Sequence, residues 1–215
     1  MKIGVFDSGV GGLSVANAIK SALPVHETVL REDKANLPYG TKSPEQLYAL
    51  VLPILERMVE EGCEIIVIAC NTVTTNIIAE LRAALTVPLI GIEPMIKPAA
   101  ERTQSSIIAV FATPATLRSR RYAWLKAEYA AGVEVLEPDV SDWAEMIERN
   151  TINRDKIAKI IDTVLQKNAD VVVLGCTHYH WIEALIEELV AGKAEVLQPE
   201  QAVIARLTAM ISPLR

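Results

Sequence analysis

Two of the three cysteines in this 215-residue chain, Cys70 in IVIACNT and Cys176 in VVLGCTH, directly follow an apolar run and precede a helical pattern. A thiol at a strand-to-helix junction meets the free N–H groups and partial positive charge of a helix N-terminus, which stabilise a thiolate and an anionic ligand alike. Taken alone, the stretch LGCTHYH (174–180) has three readings: a metal-ligand fragment, a buried structural thiol, or a cysteine held ready to react. A zinc site needs three or four ligands. Cys176, His178 and His180 have no second cluster near them in sequence, so no metal is expected. Burial is the common fate of a free cysteine. It is the reading adopted for Cys63, which has no polar company and is expected to be an inert packed thiol.

The elements that must carry these residues are legible as alternating patterns. KIGVF, EIIVIA, VPLIGI, SIIAVF, VEVL, DVVVLG and AEVLQ are short, β-branched apolar runs, the pattern of strands buried on both faces of a parallel sheet. Helices are expected between them, near 14–23, 44–61, 74–85, 95–103, 115–129, 142–149, 154–168, 179–190 and 200–211. Ser43-Pro44-Glu45-Gln46 supplies an N-cap, a Pro at the first helical position and a Gln for a capping box. The fold class is α/β.

The chain also resembles itself. IGVFDSG (3–9) matches IAVFATP (108–114), setting Phe6 and Phe111 105 residues apart, and the Cys70 and Cys176 segments match at an offset of 106. Two landmarks at nearly one offset indicate an internal duplication. Two similar parallel-sheet α/β domains related by pseudo-twofold symmetry are therefore expected, with the site in the cleft between them. The first should cover 1–93 and reclaim 200–215; the second should cover 94–199.

Ligands of open parallel sheets bind beyond the carboxyl ends of the strands, where both cysteines lie. Pseudo-twofold symmetry would set one thiol on each side of the cleft. Inverting a carbon centre without a redox cofactor requires one group to remove a proton from one face and another to deliver a proton to the opposite face. Two residues of one type suit that exchange of roles, and cysteine, with an ordinary pKa of about 8.5, tunes readily to one thiol and one thiolate. Racemisation or epimerisation is the chemistry these residues suggest.

IGVFDSGVGGLSV (3–15), LPYG (37–40), ACNT (69–72), ATPATLRSRRY (112–122) and GCTHY (175–179) resemble, in order and spacing, the blocks of glutamate racemases in the aspartate/glutamate racemase superfamily. The resemblance spans almost the whole chain. It implies a cofactor-independent interconversion of L- and D-glutamate that supplies D-glutamate for peptidoglycan. It also implies that Cys70 and Cys176 are the acid/base pair, Cys70 taking the proton of the D-isomer and Cys176 that of the L-isomer. Asp7 and His178 match the groups that assist them, with Glu145 as a third. Asp7, Ser8, Tyr39, Gly40, Asn71, Thr72, Thr177 and His178 match substrate-binding pairs, and Thr113 and Thr116 match residues that hold the substrate from the second half. The chain departs from the family pattern where Glu32-Asp33 replaces a Gly-Asp pair, where His180 replaces a Pro, and around 137–145.

Plainer roles are available for some of these residues. Asp142-Trp143-Ala144-Glu145 reads as a helix capping box, and His180 is expected on the surface of the following helix. The glycines at 9, 11 and 12 do not make a Walker or dinucleotide fingerprint. A net charge of -6, from 21 Lys+Arg against 27 Asp+Glu with no basic cluster, argues against nucleic acid or an anionic membrane as partner. Asp7 interrupts any secretory h-region, and three widely spaced cysteines read as reduced thiols, so a soluble cytoplasmic protein is expected. From the resemblance the partners are glutamate and a second copy in a homodimer. Racemisation of aspartate or another acidic amino acid, and an inactive amino-acid-binding homologue, are the alternatives.

Overall fold

The computed structural model describes residues 1–211; residues 212–215, the end of the expected 200–215 return segment, lie outside the described residues. The first half runs β1 (Lys2–Asp7), α1 (Gly12–Ala22), β2 (Glu27–Glu32), α2 (Pro44–Glu60), β3 (Ile65–Ile68), α3 (Asn71–Ala84) and β4 (Leu89–Gly91), after which α4 (Ile96–Arg102) crosses to pack on the second sheet. The second runs β5 (Ile107–Ala112), α5 (Pro114–Arg118), α6 (Arg120–Tyr129), β6 (Glu134–Leu136), α7 (Trp143–Glu148), α8 (Arg154–Gln166), β7 (Val171–Gly175), a 3-10 turn (Thr177–Ile182), α9 (Glu183–Val190) and β8 (Glu195–Leu197), before α10 (Glu200–Ile211).

The strands form two four-stranded parallel sheets of matching order, β2-β1-β3-β4 and β6-β5-β7-β8. The two self-similar segments are thus the central strand pairs of the two sheets, β1 beside β3 and β5 beside β7. Side chains alternate between sheet faces with period two. In the first sheet Phe6, Ile66 and Ile68 pack against Leu47, Val51 and Leu55 of α2 and Val73 and Ile77 of α3. Ile3, Val5, Ile65 and Val67 pack on the other side against α1 and against Val203, Leu207 and Ile211 of α10. In the second sheet Ile108, Val110 and Val173 face α4 and α6, while Phe111, Val172 and Leu174 face α7, α8 and α9. Burial on both faces explains why the central strands read as continuous apolar runs.

Several expected elements differ. β2 was not among the expected strands. It is an edge strand, its residues exposed or only partly buried, so ETVLRE lacks the apolar signature of its neighbours. The helix expected over 115–129 is broken at Ser119, whose side chain accepts from the Tyr122 N–H and caps α6. Asp142 makes no cap for α7, because its carboxylate pairs with Lys156 of α8 instead. At Ser43 the capping box forms as expected, with Ser43 Oγ accepting from Gln46 N and Gln46 Oε1 accepting from Ser43 N. No helix among the described residues is long and apolar enough to cross a membrane.

Candidate active site

Cys70 occupies the N-cap position of α3, at the end of β3, and Cys176 follows β7. Both line one small cavity of ≈ 30 Å³, together with Ser8, Leu37, Pro38, Tyr39, Gly40, Asn71, Thr72, Thr113, Thr177 and His178. The volume is about that of one water molecule in the liquid. The roomier groove along Tyr48, Ile77 and Glu80 between α2 and α3 contains none of these groups. Of the residues expected at the site, Asp7, Thr116 and Glu145 do not line the cavity.

The two thiols stand in unlike surroundings. Burial, and then the nearby Asp7 carboxylate, push the Cys70 thiol up to about 12. Ser8 Oγ is 3.6 Å from its sulfur. Cys70 therefore keeps its proton in these surroundings. Cys176 was expected to precede an α-helix but precedes a 3-10 turn, which aligns fewer dipoles. Its electrostatic partner is a side chain: His178 Nδ1 lies 3.7 Å from the Cys176 sulfur, and His178 Nε2 donates to Glu148 Oε1 at 2.7 Å. Burial opposes charge on this imidazole, but hydrogen bonds to Cys176 and Glu148 outweigh it and raise His178 to about 11. An imidazolium so placed is the countercharge that a Cys176 thiolate needs.

Glu148, rather than Glu145, meets His178. Glu145 points outward, with its side chain 59% exposed, and pairs with Arg149 at 2.8 Å. On α7 the buried face is set by Trp143 and Ile147; at 3.6 residues per turn Glu145 falls on the opposite side. Glu148 Oε1 also accepts the Val10 N–H at 2.7 Å, so one carboxylate joins the β1–α1 loop to the segment after Cys176 in the other half. The hydrogen bonds from His178 and Val10 hold Glu148 below the usual carboxylate range although burial works against them. The folded protein binds the His178 proton between the ordinary value of 6.5 and about 11, where the unfolded chain has released it. Stability from this group is thus fully present below 6.5 and is lost as pH rises to about 11. Glu148→Gln removes one of its supports, so denaturation measured across this window should show a flatter fall with pH than in the unaltered protein. An unchanged slope would rule out the pairing.

The remaining residues bind the halves together. Asp7, whose carboxyl is raised by burial, accepts from Thr177 Oγ1 at 3.2 Å across the cleft. Thr72 Oγ1 and Thr113 Oγ1 are 2.8 Å apart, and Thr113 donates to Thr116 Oγ1 at 3.0 Å, so Thr116 supports the cavity wall from behind it. Tyr39 donates to Asp33 Oδ2 at 2.6 Å, so the carboxylate of the departing Glu32-Asp33 pair anchors the Tyr-Gly segment. Both polar atoms of the Asn71 amide are buried without a partner while the residue lines the cavity. Such a donor and acceptor left unsatisfied is costly unless a ligand completes it.

Two further residues can be placed. Cys63 packs with Met58, Ile66 and Leu55 in the first half's apolar cluster and does not line the cavity. Burial raises its thiol. Cys63→Ser should cost about 1–3 kcal/mol of stability in a denaturant titration, through an unpaired hydroxyl, and leave turnover near the unaltered value. A large loss of turnover would give this thiol a role. His180 is buried rather than on the surface: Nδ1 is 3.3 Å from both Ser14 Oγ and Glu200 Oε1. It does not line the cavity that Cys176 and His178 face. Among the described residues no group of three or more His, Cys, Asp or Glu could hold a metal ion.

Residues 3–207 match the model of the Asp/Glu/Hydantoin racemase family. The chain belongs to this family. Among its racemase relatives it is similar to the glutamate racemase of Ralstonia pickettii (strain 12J), 39% identical over 209 residues, covering 95% of this chain and 74% of the relative. The glutamate racemase of Herpetosiphon aurantiacus is 38% identical over 210 residues, covering 96% and 82%. The Escherichia coli glutamate racemase solved with L-glutamate and the activator UDP-MurNAc-ala superposes with a TM-score of 0.89 at 31% identity, covering 97% of this chain and 81% of that one.

Proposed function

We propose that this racemase-family protein interconverts L- and D-glutamate without a cofactor, using Cys70 and Cys176 as its two acid/base groups, and so supplies D-glutamate for peptidoglycan. The observation that carries the reading is that cysteines following the central strands of two matching sheets line one small cavity. The named relatives support glutamate as substrate.

In the L-to-D direction the Cys176 thiolate, faced by the His178 imidazolium, takes the Cα proton. The carbon becomes carbanion-like, and the Cys70 thiol delivers its proton to the opposite face. D-glutamate leaves behind a Cys176 thiol and a Cys70 thiolate, the form that runs the reverse reaction. Val73 N–H at the start of α3 and Ser8 favour that second thiolate once it forms. The Cα proton is weakly acidic, so much of the rate must come from fixed donors in a site closed to water. Asn71, Thr72, Thr113, Thr177 and the Tyr39-Gly40 segment are the groups that hold the carboxylates and ammonium.

A cavity of ≈ 30 Å³ is too small for glutamate, so substrate exchange needs the cleft to open. Leu37 and Pro38 form a wall shared with an outer hollow of ≈ 210 Å³ beside Ala144, Glu148 and Arg149. Movement of that wall is the entry route in this reading. The division into domains at 1–93 with 200–215, and 94–199, a homodimeric assembly and a cytoplasmic location belong to the same proposal. The packing of α10 on the first sheet supports the division.

Incubation of each enantiomer in deuterium oxide tests the reading. Deuterium should enter at Cα of both L- and D-glutamate as the enantiomers interconvert. Exchange into aspartate but not glutamate would overturn the substrate assignment. Glutamate binding without any exchange would make the protein a binding homologue.

A further inference from the structure

The 3-10 turn after Cys176 sends its side chains in three directions. Cys176 and His178 face the cavity. Tyr179 enters the core of the second half, where its hydroxyl donates to Val140 O at 3.2 Å. His180 and Trp181 reach the first half. Trp181 Nε1 donates to Val10 O at 3.1 Å. His180, its side chain 2% exposed, places Nδ1 3.3 Å from Ser14 Oγ of α1 and 3.3 Å from Glu200 Oε1 at the start of α10.

The direction of these bonds follows from chemistry. Ser14 Oγ donates its only proton to Gly11 O at 3.0 Å, and a carboxylate can only accept, so a proton on His180 Nδ1 is shared between them. Its hydrogen bond to Glu200 holds that carboxylate below its usual range. Nε2 is buried with no partner, a burden that an apolar side chain at this position would avoid. The ring thus ties a residue four positions beyond Cys176 to two helices that pack on the opposite half's sheet.

We propose that His180 is a positioning residue: by joining Ser14 and Glu200 it sets where the Cys176 sulfur stands relative to Cys70 across the cleft. The inference rests on the two-thiol reading, with Cys176 serving the L-isomer. Proton transfer is steep in distance, and a shift of about 1 Å can cost on the order of 100-fold in rate.

Isotope effects test it. Racemisation has an equilibrium constant of one, so kcat/KM for the two enantiomers must fall together, and rates alone do not show which thiol has moved. In His180→Ala, kcat/KM should fall about tenfold with both substrates. The primary isotope effect with α-deuterated L-glutamate should rise, because transfer to Cys176 becomes limiting. With α-deuterated D-glutamate it should fall toward unity. His180→Asn, whose amide can donate from about the Nδ1 position, should recover most of the rate and both isotope effects. Reduced rates with unaltered isotope effects would mean only fewer active molecules and would overturn the proposal, as would an Asn variant no better than Ala. Absence of any α-deuterium isotope effect or Cα exchange in the unaltered protein would instead remove the two-thiol reading itself.

Discussion

Cys70→Ser and Cys176→Ser should each lower racemisation of glutamate by roughly 10²–10⁴-fold, the range associated with losing one positioned acid or base. Serine keeps the size of the side chain but holds its proton far more tightly than a thiol, so neither the thiolate base nor a matched acid can form. Each substitution breaks both directions, because every turnover uses one residue to take a proton and the other to return one. The thiols are nearly fully buried at 5% and 6% exposure, and a serine hydroxyl at either place has polar company in Ser8 or His178. The variants should therefore keep their unfolding midpoints while losing turnover. Coupled-enzyme or polarimetric assays starting from each enantiomer would read the rates. Substantial activity in either variant would overturn the two-thiol scheme.

Gly11→Ala should be nearly as damaging, although residue 11 carries no reacting group. A Cβ there would lie 2.6 Å from the carbonyl carbon of Thr177 and 2.7 Å from the His178 N. Real Cβ atoms essentially never approach backbone so closely, and backbone cannot rotate away. Either the β1–α1 loop or the segment after Cys176 must retreat. Both movements stretch the links from Asp7 to Thr177, Val10 to Glu148 and Trp181 to Val10. A fall in kcat/KM on the order of 100-fold is expected from a displacement of this size, with secondary structure preserved by circular dichroism. Unimpaired turnover would show that this close approach does not position the site. Gly11 of DSGVGG thus has a steric reason: there the loop passes against the backbone of Thr177 and His178 in the other half.

The features legible in the sequence are those set by local pattern. Continuous apolar strands marked the central pairs β1/β3 and β5/β7, and the repeated landmarks at Phe6/Phe111 and Cys70/Cys176 marked the matching topology of the two sheets. β2 was not legible because an edge strand has no second partner and no fully buried face, so ETVLRE carries no apolar run. Asp142 has the composition of a cap, yet Lys156, fourteen residues on, draws its carboxylate away. Glu145 and Glu148 sit one turn apart on α7, and only the rotation of that helix against the second sheet turns Glu148 to His178. The signal that could have found it is the Trp143/Ile147 spacing, which assigns Glu145 to the outer face.

The sequence by itself determined an α/β duplication with a cysteine after a buried strand in each half, because strand burial and repeat offset are written in residue types along the chain. Only the tertiary structure decided what surrounds each thiol. Asp7 and Ser8 beside Cys70 come from a neighbouring strand and the loop that follows it, Glu148 reaches His178 from a helix thirty residues away, and His180 finds Ser14 and Glu200 on two helices of the other half. Electrostatics act through space over a few ångströms, and those distances are fixed by packing rather than by order in the chain.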